Sequence, residues 1–236
     1  MASVDAAAQR GEAVAAKGVL VDTAEIPGGG QLQLIRYGQD YEILFDDERL
    51  MGSWAHHSEE ALASLVAERL EERAERILIG GLGMGFTLAA ARSSFPPTAQ
   101  IVVAELVPQV VAWANGPLAS ILGNSLSDPR VSIEVRDVHD VIAERHARFD
   151  AILLDVDNGP DGMISLANER LYCAWGLRTS YNALRPGGVL AVWSAFADGA
   201  FADRLRGAGF RVLEFQLATG GGKDDPPHTI WLGTRP

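Results

Sequence analysis

Three acidic residues, Glu105, Asp137 and Asp155, each follow a short apolar run, and a glycine cluster, Gly80, Gly81, Gly83 and Gly85, follows a fourth. Glycine has no Cβ and tolerates positive φ, so backbone at such a turn can pass close beneath a ligand. A glycine turn that opens a helix also aims N–H groups at whatever lies above the strand end. Glu105 comes about twenty residues after the last glycine, where a nucleotide-binding α/β unit places an acid for ribose hydroxyls. Asp155 is a further acid at a strand end, where a carboxylate can be a solvated loop end, a helix cap or a ligand contact. His228 is a candidate titratable base, and Asp157 a candidate anion for a cationic amine. His56 and His57 would face opposite sides of an extended chain, which argues against a metal pair and leaves His57 as a polar wall of the site. The single cysteine, Cys173, excludes any multi-cysteine metal site, and no metal is expected.

These residues need elements that bring strand ends together. From residue 76 onward apolar runs alternate with helical patterns: strands at 77–80, 101–105, 131–135, 149–154, 188–194, 210–217 and 228–233, helices near 85–93, 107–115, 138–146, 168–184 and 198–207. The alternation predicts a doubly wound, mostly parallel seven-stranded sheet covered by helices on both faces, its last two strands an antiparallel hairpin. A doubly wound sheet binds ligands beyond the carboxyl ends of its strands, where all the acids above lie. Before it, residues 18–55 read as a small β meander punctuated by Gly28-Gly29-Gly30 and Gly38-Gln39-Asp40, and residues 1–17 as a flexible tail. Residues 56–236 form the nucleotide-binding domain, entered by a helix from Ser58, which is expected to cap it, with Ala61, Leu62, Leu65 and Val66 at helical spacing.

The chain has 236 residues, is 47% hydrophobic and carries a formal net charge of −11. No basic patch suits a phosphate backbone, so no nucleic-acid partner is expected. No apolar run is long enough for a membrane span, and the opening residues lack the form of a secretory signal. With one cysteine, a cytoplasmic protein is expected, with a small-molecule acceptor as its partner and a homodimer as its possible assembly.

The Ile79-Gly-Gly-Leu-Gly-Met-Gly85 turn, Val103-Ala-Glu105, Arg136-Asp137 opening a helix, Phe149-Asp-Ala-Ile-Leu-Leu-Asp155, Tyr172 and Leu184-Arg-Pro-Gly-Gly-Val189 together resemble the spermidine synthase-like group of class I S-adenosylmethionine-dependent transferases. The resemblance covers about residues 50–236 and implies a Rossmann-like class I methyltransferase fold. It implies that Gly80, Gly81, Gly83 and Gly85 pass under the sulfur-bearing chain of the nucleotide, that Glu105 with the adjoining Leu106 holds the ribose, that Asp137 and the Val138 backbone contact adenine, and that Asp155 deprotonates or orients the acceptor. The departures are specific. Aminopropyltransferases carry an aspartate in the glycine turn where this chain has Gly83. Their Asp-Ser-Ser-Asp-Pro loop is replaced by Asp155-Val-Asp157-Asn158-Gly-Pro160, and their Tyr-His-Glu motif by Ser58-Glu59-Glu60, in which Glu60 aligns with the glutamate. Losing the acid at Gly83 removes a repulsion against the carboxylate of S-adenosyl-L-methionine. Methyl transfer from that cofactor to a small amine or hydroxyl acceptor is therefore the main expectation. Aminopropyl transfer from decarboxylated S-adenosylmethionine is the alternative, and an inactive nucleotide-binding scaffold a third reading.

Overall fold

The structure is a computed structural model that describes residues 17–156, 158–160, 168–218 and 226–236. Asp157 lies outside the described residues. The chain divides into two compact units after Ala55.

The first unit is an antiparallel meander, β1 (Val19–Glu25), β2 (Gln31–Tyr37), β3 (Asp40–Phe45) and β4 (Glu48–Gly52), in that spatial order. Gly28, Gly29 and Gly30 all take positive φ in the β1–β2 turn. Leu32 pairs with Phe45 and Leu34 with Ile43, so alternate residues of β2 and β3 build one apolar face. The Arg49 guanidinium lies 5.4 Å from the centre of the Trp54 ring in this unit.

The second unit holds β5 (Arg76–Gly80), β6 (Gln100–Glu105), β7 (Val131–Val135), β8 (Phe149–Leu154), β9 (Leu184–Ser194), β10 (Arg211–Leu217) and β11 (His228–Thr234), ordered β10-β11-β9-β8-β5-β6-β7. Only β11 runs against its neighbours. The helices are α1 (His57–Leu70), α2 (Phe86–Ser94), α3 (Pro108–Asn115), α4 (Ala119–Leu122), α5 (Val138–Ala143), α6 (Glu169–Tyr172), α7 (Ala174–Ala183) and α8 (Gly199–Gly207). The expected mostly parallel seven-stranded sheet with a closing hairpin is therefore present. All six residues of β8 are buried, because its parallel neighbours and the helices leave neither face to water. The edge strand β10 instead exposes Arg211, Leu213, Glu214 and Gln216, and its charged side chains blunt it against pairing.

Three local expectations need correction. The helix expected over 168–184 is broken at Cys173, which takes an extended conformation (φ −72°, ψ 165°) between α6 and α7. A side chain at Gly176 would lie 1.8 Å from the Arg170 carbonyl oxygen, so glycine there allows α6 to fold back onto α7. Cys173 is half-buried. The helix from 138 ends at Ala143, three residues early. Finally, Ser58 does not cap α1: the helix begins at His57, its cap residue His56 makes no side-chain capping bond, and the Ser58 hydroxyl is used elsewhere.

The chain runs outward from β5 to β6 and β7, then returns to β8 on the other side of β5, so the switch point lies between β5 and β8. The glycine turn bridges it. Gly81 N–H donates to the Ala104 carbonyl at 2.9 Å, while Asp155 N–H donates to the Gly80 carbonyl at 3.0 Å. Gly81 has φ +88°, and a Cβ there would sit 2.3 Å from the Asp155 carbonyl oxygen. Gly81→Ala thus combines backbone strain with a clash against main chain, and is expected to lower the melting temperature by about 5–10 °C. Thermal denaturation checks this; a fall under about 2 °C would mean the turn is far more compliant.

Candidate active site

The turn after β5 presents Gly81, Gly83 and Gly85 at φ +88°, +49° and +83°. Gly80 lies flat under Val138, whose Cγ2 would be 2.9 Å from a Cβ at that position. Gly85 is the cap residue of α2 and packs against Leu122. This is a bare backbone floor whose helix opens toward the strand ends, as an anionic or nucleotide ligand requires.

Glu105, at the end of β6, is 7% exposed. One carboxylate oxygen accepts the Leu82 N–H and the other the Val107 N–H, both at 2.8 Å. Burial raises its pKa, and backbone N–H groups of Val107, Leu82, Gly83 and Leu106 oppose the rise. The residue expected at the ribose therefore also staples the glycine turn to its own loop. Leu106 contributes its amide to this staple.

Asp137 caps α5, accepting the His139 N–H at 2.8 Å. Its second oxygen takes a short hydrogen bond from the Arg170 guanidinium of α6. The acid assigned to adenine thus already carries a cation, a partner that sequence spacing gives no means of seeing. Val138 is 5% exposed, its side chain turned to the core.

Asp155 follows β8 and is half-buried. Thr87, on the first turn of α2, donates its hydroxyl to Asp155 Oδ2 at 2.5 Å and lies 3.3 Å from the Glu59 carbonyl oxygen. Glu59 of α1 brings a second carboxylate to the same place. Burial, then the charge of Asp155, pushes the Glu59 pKa up to about 7, with the Ser58 hydroxyl opposing. Burial pushes Asp155 up to about 6, with the Thr87 hydrogen bond opposing. The two carboxylates titrate as a pair, and burial with their mutual repulsion disfavours the loss of both protons. Two acids kept from full ionisation near neutral pH are a receptor for a cation or a proton.

Ser58 is buried among three partners. It lies 2.6 Å from Glu59 Oε2, 2.7 Å from His228 Nδ1 and 3.0 Å from the Trp193 indole nitrogen, which donates to it. The His228 ring packs edge-on against Trp193, centroids 4.7 Å apart.

The structure therefore brings together Asp155, His228 and the glycine turn from the sequence candidates, and adds Glu59, Ser58, Thr87 and Trp193. It does not bring in His57, which is exposed. Glu60 also stays out, its carboxylate 3.0 Å from His56 Nδ1 and half exposed. His56 stacks on Phe86 at 4.2 Å. Asn158 contributes its carbonyl, which accepts from Ala195 N–H and the Ser194 hydroxyl and fixes the loop after β8 to the end of β9. Among the described residues no group of three or more His, Cys, Asp or Glu could hold a metal ion, and no helix is long and apolar enough to cross a membrane.

No protein-family model matches the sequence. Polyamine aminopropyltransferases of Mycobacterium tuberculosis and Mycobacterium bovis are each 28% identical over 165 residues, covering 65% of this chain. The match spans only 30% of those relatives' length. Spermidine synthase from Thermotoga maritima superposes with a TM-score of 0.74 at 15% identity, over 92% of this chain and 73% of that one. The fold is spermidine synthase-like. A spermidine synthase in complex with the transition-state analogue AdoDATO gives a TM-score of 0.73 at 15% identity, over 92% and 72% of the two chains. A probable spermidine synthase from Corynebacterium glutamicum gives 0.63 at 16%, over 92% and 80%.

Proposed function

We propose that this spermidine synthase-like chain is a transferase that moves the aminopropyl group of decarboxylated S-adenosylmethionine to a small primary amine. One observation carries the reading: Glu59 and Asp155 form a pair of carboxylates beside the glycine turn, both with raised pKa. Similarity to polyamine aminopropyltransferases supports the same chemistry, and methyl transfer, the main expectation from sequence, gains nothing from it. That expectation rested on Gly83 replacing an acid. Glu59 returns an acid to the site from a different element, and two carboxylates repel the carboxylate of intact S-adenosylmethionine while attracting ammonium groups.

In the proposed reaction the acceptor nitrogen forms a C–N bond to the sulfonium-bound methylene, the C–S bond breaks, and the nitrogen gives up a proton. Asp155 receives the acceptor's ammonium form and takes its proton, freeing the lone pair that attacks, a role that needs a carboxylate ionised near neutral pH. Thr87 fixes the rotamer of Asp155. Glu105 and the turn N–H groups it organises hold the nucleoside, and Asp137 with Val138 borders the adenine; these are proposals carried by position at the strand ends.

The test is product analysis. The full chain is incubated with either S-adenosylmethionine or its decarboxylated form, with 1,4-diaminobutane as the acceptor probe. Methylthioadenosine from the decarboxylated donor is the expected product. S-adenosylhomocysteine from the intact donor would return methyl transfer to first place, and neither product would favour a scaffold.

A further inference from the structure

The Ser58 hydroxyl is positioned as a switchable hydrogen-bond link. Trp193 supplies a fixed indole donor at 3.0 Å, so one lone pair of Ser58 Oγ is permanently occupied. The hydroxyl then has one proton to give and one lone pair to fill, and two groups remain: Glu59 Oε2 at 2.6 Å and His228 Nδ1 at 2.7 Å. Whichever partner holds a proton must donate to Ser58, and Ser58 must donate to the other. Both arrangements satisfy every atom of the chain, and a single proton shift interconverts them.

We propose that Ser58 and His228 form a proton relay that empties Glu59 when the cationic acceptor arrives. In the loaded state protonated Glu59 donates to Ser58, and Ser58 donates to the neutral His228 ring at Nδ1. An ammonium entering beside Asp155 takes the place of the proton on Glu59. That proton passes to Ser58 Oγ as the hydroxyl's own proton passes to His228 Nδ1. Glu59 is left a carboxylate accepting from Ser58, and His228 is left an imidazolium donating to it. One O–H bond is broken at Glu59 and one N–H bond is made at His228, with no change in the number of protons on Ser58. The groups that face Glu59 are Asp155 from the end of β8, Glu60 on its own helix, Ser58, and the Thr87 hydroxyl of α2 near its backbone. His228 enters from β11 and Trp193 from β9, so five elements converge on the link. Ser58 and His228 are positioning residues here, acting on the substrate only through Glu59.

The inference rests on the aminopropyl-transfer reading for its kinetic readout but not for its structural one. By nuclear magnetic resonance of the full chain, the apparent titration midpoint of the His228 ring is expected to move by at least about 0.5 pH unit in Glu59→Gln, because the ring loses a carboxylate two bonds of the link away. The same Glu59→Gln change is expected to have no further effect once Ser58→Ala has cut the link. A His228 titration indifferent to Glu59 in the presence of Ser58 overturns the relay, whatever the protein catalyses. With decarboxylated S-adenosylmethionine and 1,4-diaminobutane, His228→Gln is expected to raise the KM for the diamine about tenfold with kcat little changed, and added imidazole to reverse part of the rise. Ser58→Thr keeps a hydroxyl and is expected to retain the KM that Ser58→Ala loses. An unchanged KM in both His228→Gln and Ser58→Ala also overturns the proposal. If the wild-type chain makes no methylthioadenosine while the His228 coupling is present, the reaction assignment falls and the relay stands.

Discussion

Asp155→Asn is expected to lower kcat/KM for aminopropyl transfer by about 10²–10⁴-fold, the range for removing a positioned proton acceptor. The same change is expected to make the protein more stable at pH 8. The sign follows from the raised pKa. A carboxyl group whose folded pKa exceeds its unfolded value favours the native state most when protonated. That contribution is complete below the ordinary 3.8 and is lost as pH rises through about 6. At pH 8 the folded protein therefore holds a carboxylate that would be better solvated in the unfolded chain. The full rise corresponds to about 3 kcal/mol at 1.36 kcal/mol per pH unit. Partial solvent access reduces the expected gain to about 1 kcal/mol, or about 2–4 °C in melting temperature. Opposite movements of activity and stability in one variant distinguish a functional acid from a structural one. If Asp155→Asn lost activity and stability together, the carboxylate would instead be holding the fold, and the proposed chemistry would lose its main support.

The fold was legible because its signals are local. Ile77–Ile79, the glycine turn and the helix after it occupy adjacent positions, and each apolar strand announces its own boundaries. Gly80, Gly81, Glu105 and Asp155 could be placed at strand ends by counting alone. What counting does not give is the partner that each strand-end acid meets. Arg170 reaches Asp137 across thirty-three residues, and the Leu82 amide reaches Glu105 across twenty-three. Both contacts exist only after β5, β6 and α6 have packed. The break at Cys173 was hidden for a similar reason: the sequence from 168 to 184 has helical composition, and only the approach of Arg170 to Gly176 shows why one helix becomes two. The signal that did exist and went unused is helix phase in α1.

That phase carries the second large prediction. The buried positions of α1 are Ser58, Leu62, Ala63, Val66, Ala67 and Leu70. Residue 59 precedes Leu62 by three, Ala63 by four and Val66 by seven, so it lies in the middle of this stripe; residue 60, one step of about 100° further round, falls beyond its edge at Ala67. Matching the motif by alignment favours Glu60, whereas the helix turns Glu59 inward. Glu59→Gln is expected to raise the KM for a diamine acceptor by about 10–100-fold, the range for losing one charged hydrogen bond in a half-buried site. Glu60→Gln, which disturbs only a half-exposed contact with His56, is expected to change KM by less than about twofold. Calorimetry separates the two acids without turnover. In the Ser58→Ala background, where the link to His228 is cut, binding of 1,4-diaminobutane near neutral pH should displace into solvent the proton that burial and the Asp155 charge favour on Glu59. Heats measured in two buffers of different ionisation enthalpy should then differ in proportion to protons released, approaching one per diamine bound. Adding Glu59→Gln to that background should release close to none, while adding Glu60→Gln should change nothing. Equal proton release from all three chains would mean that no shared proton sits between Glu59 and Asp155. The pair would then be two independent surface acids, and the cation site inferred from them would have no physical basis.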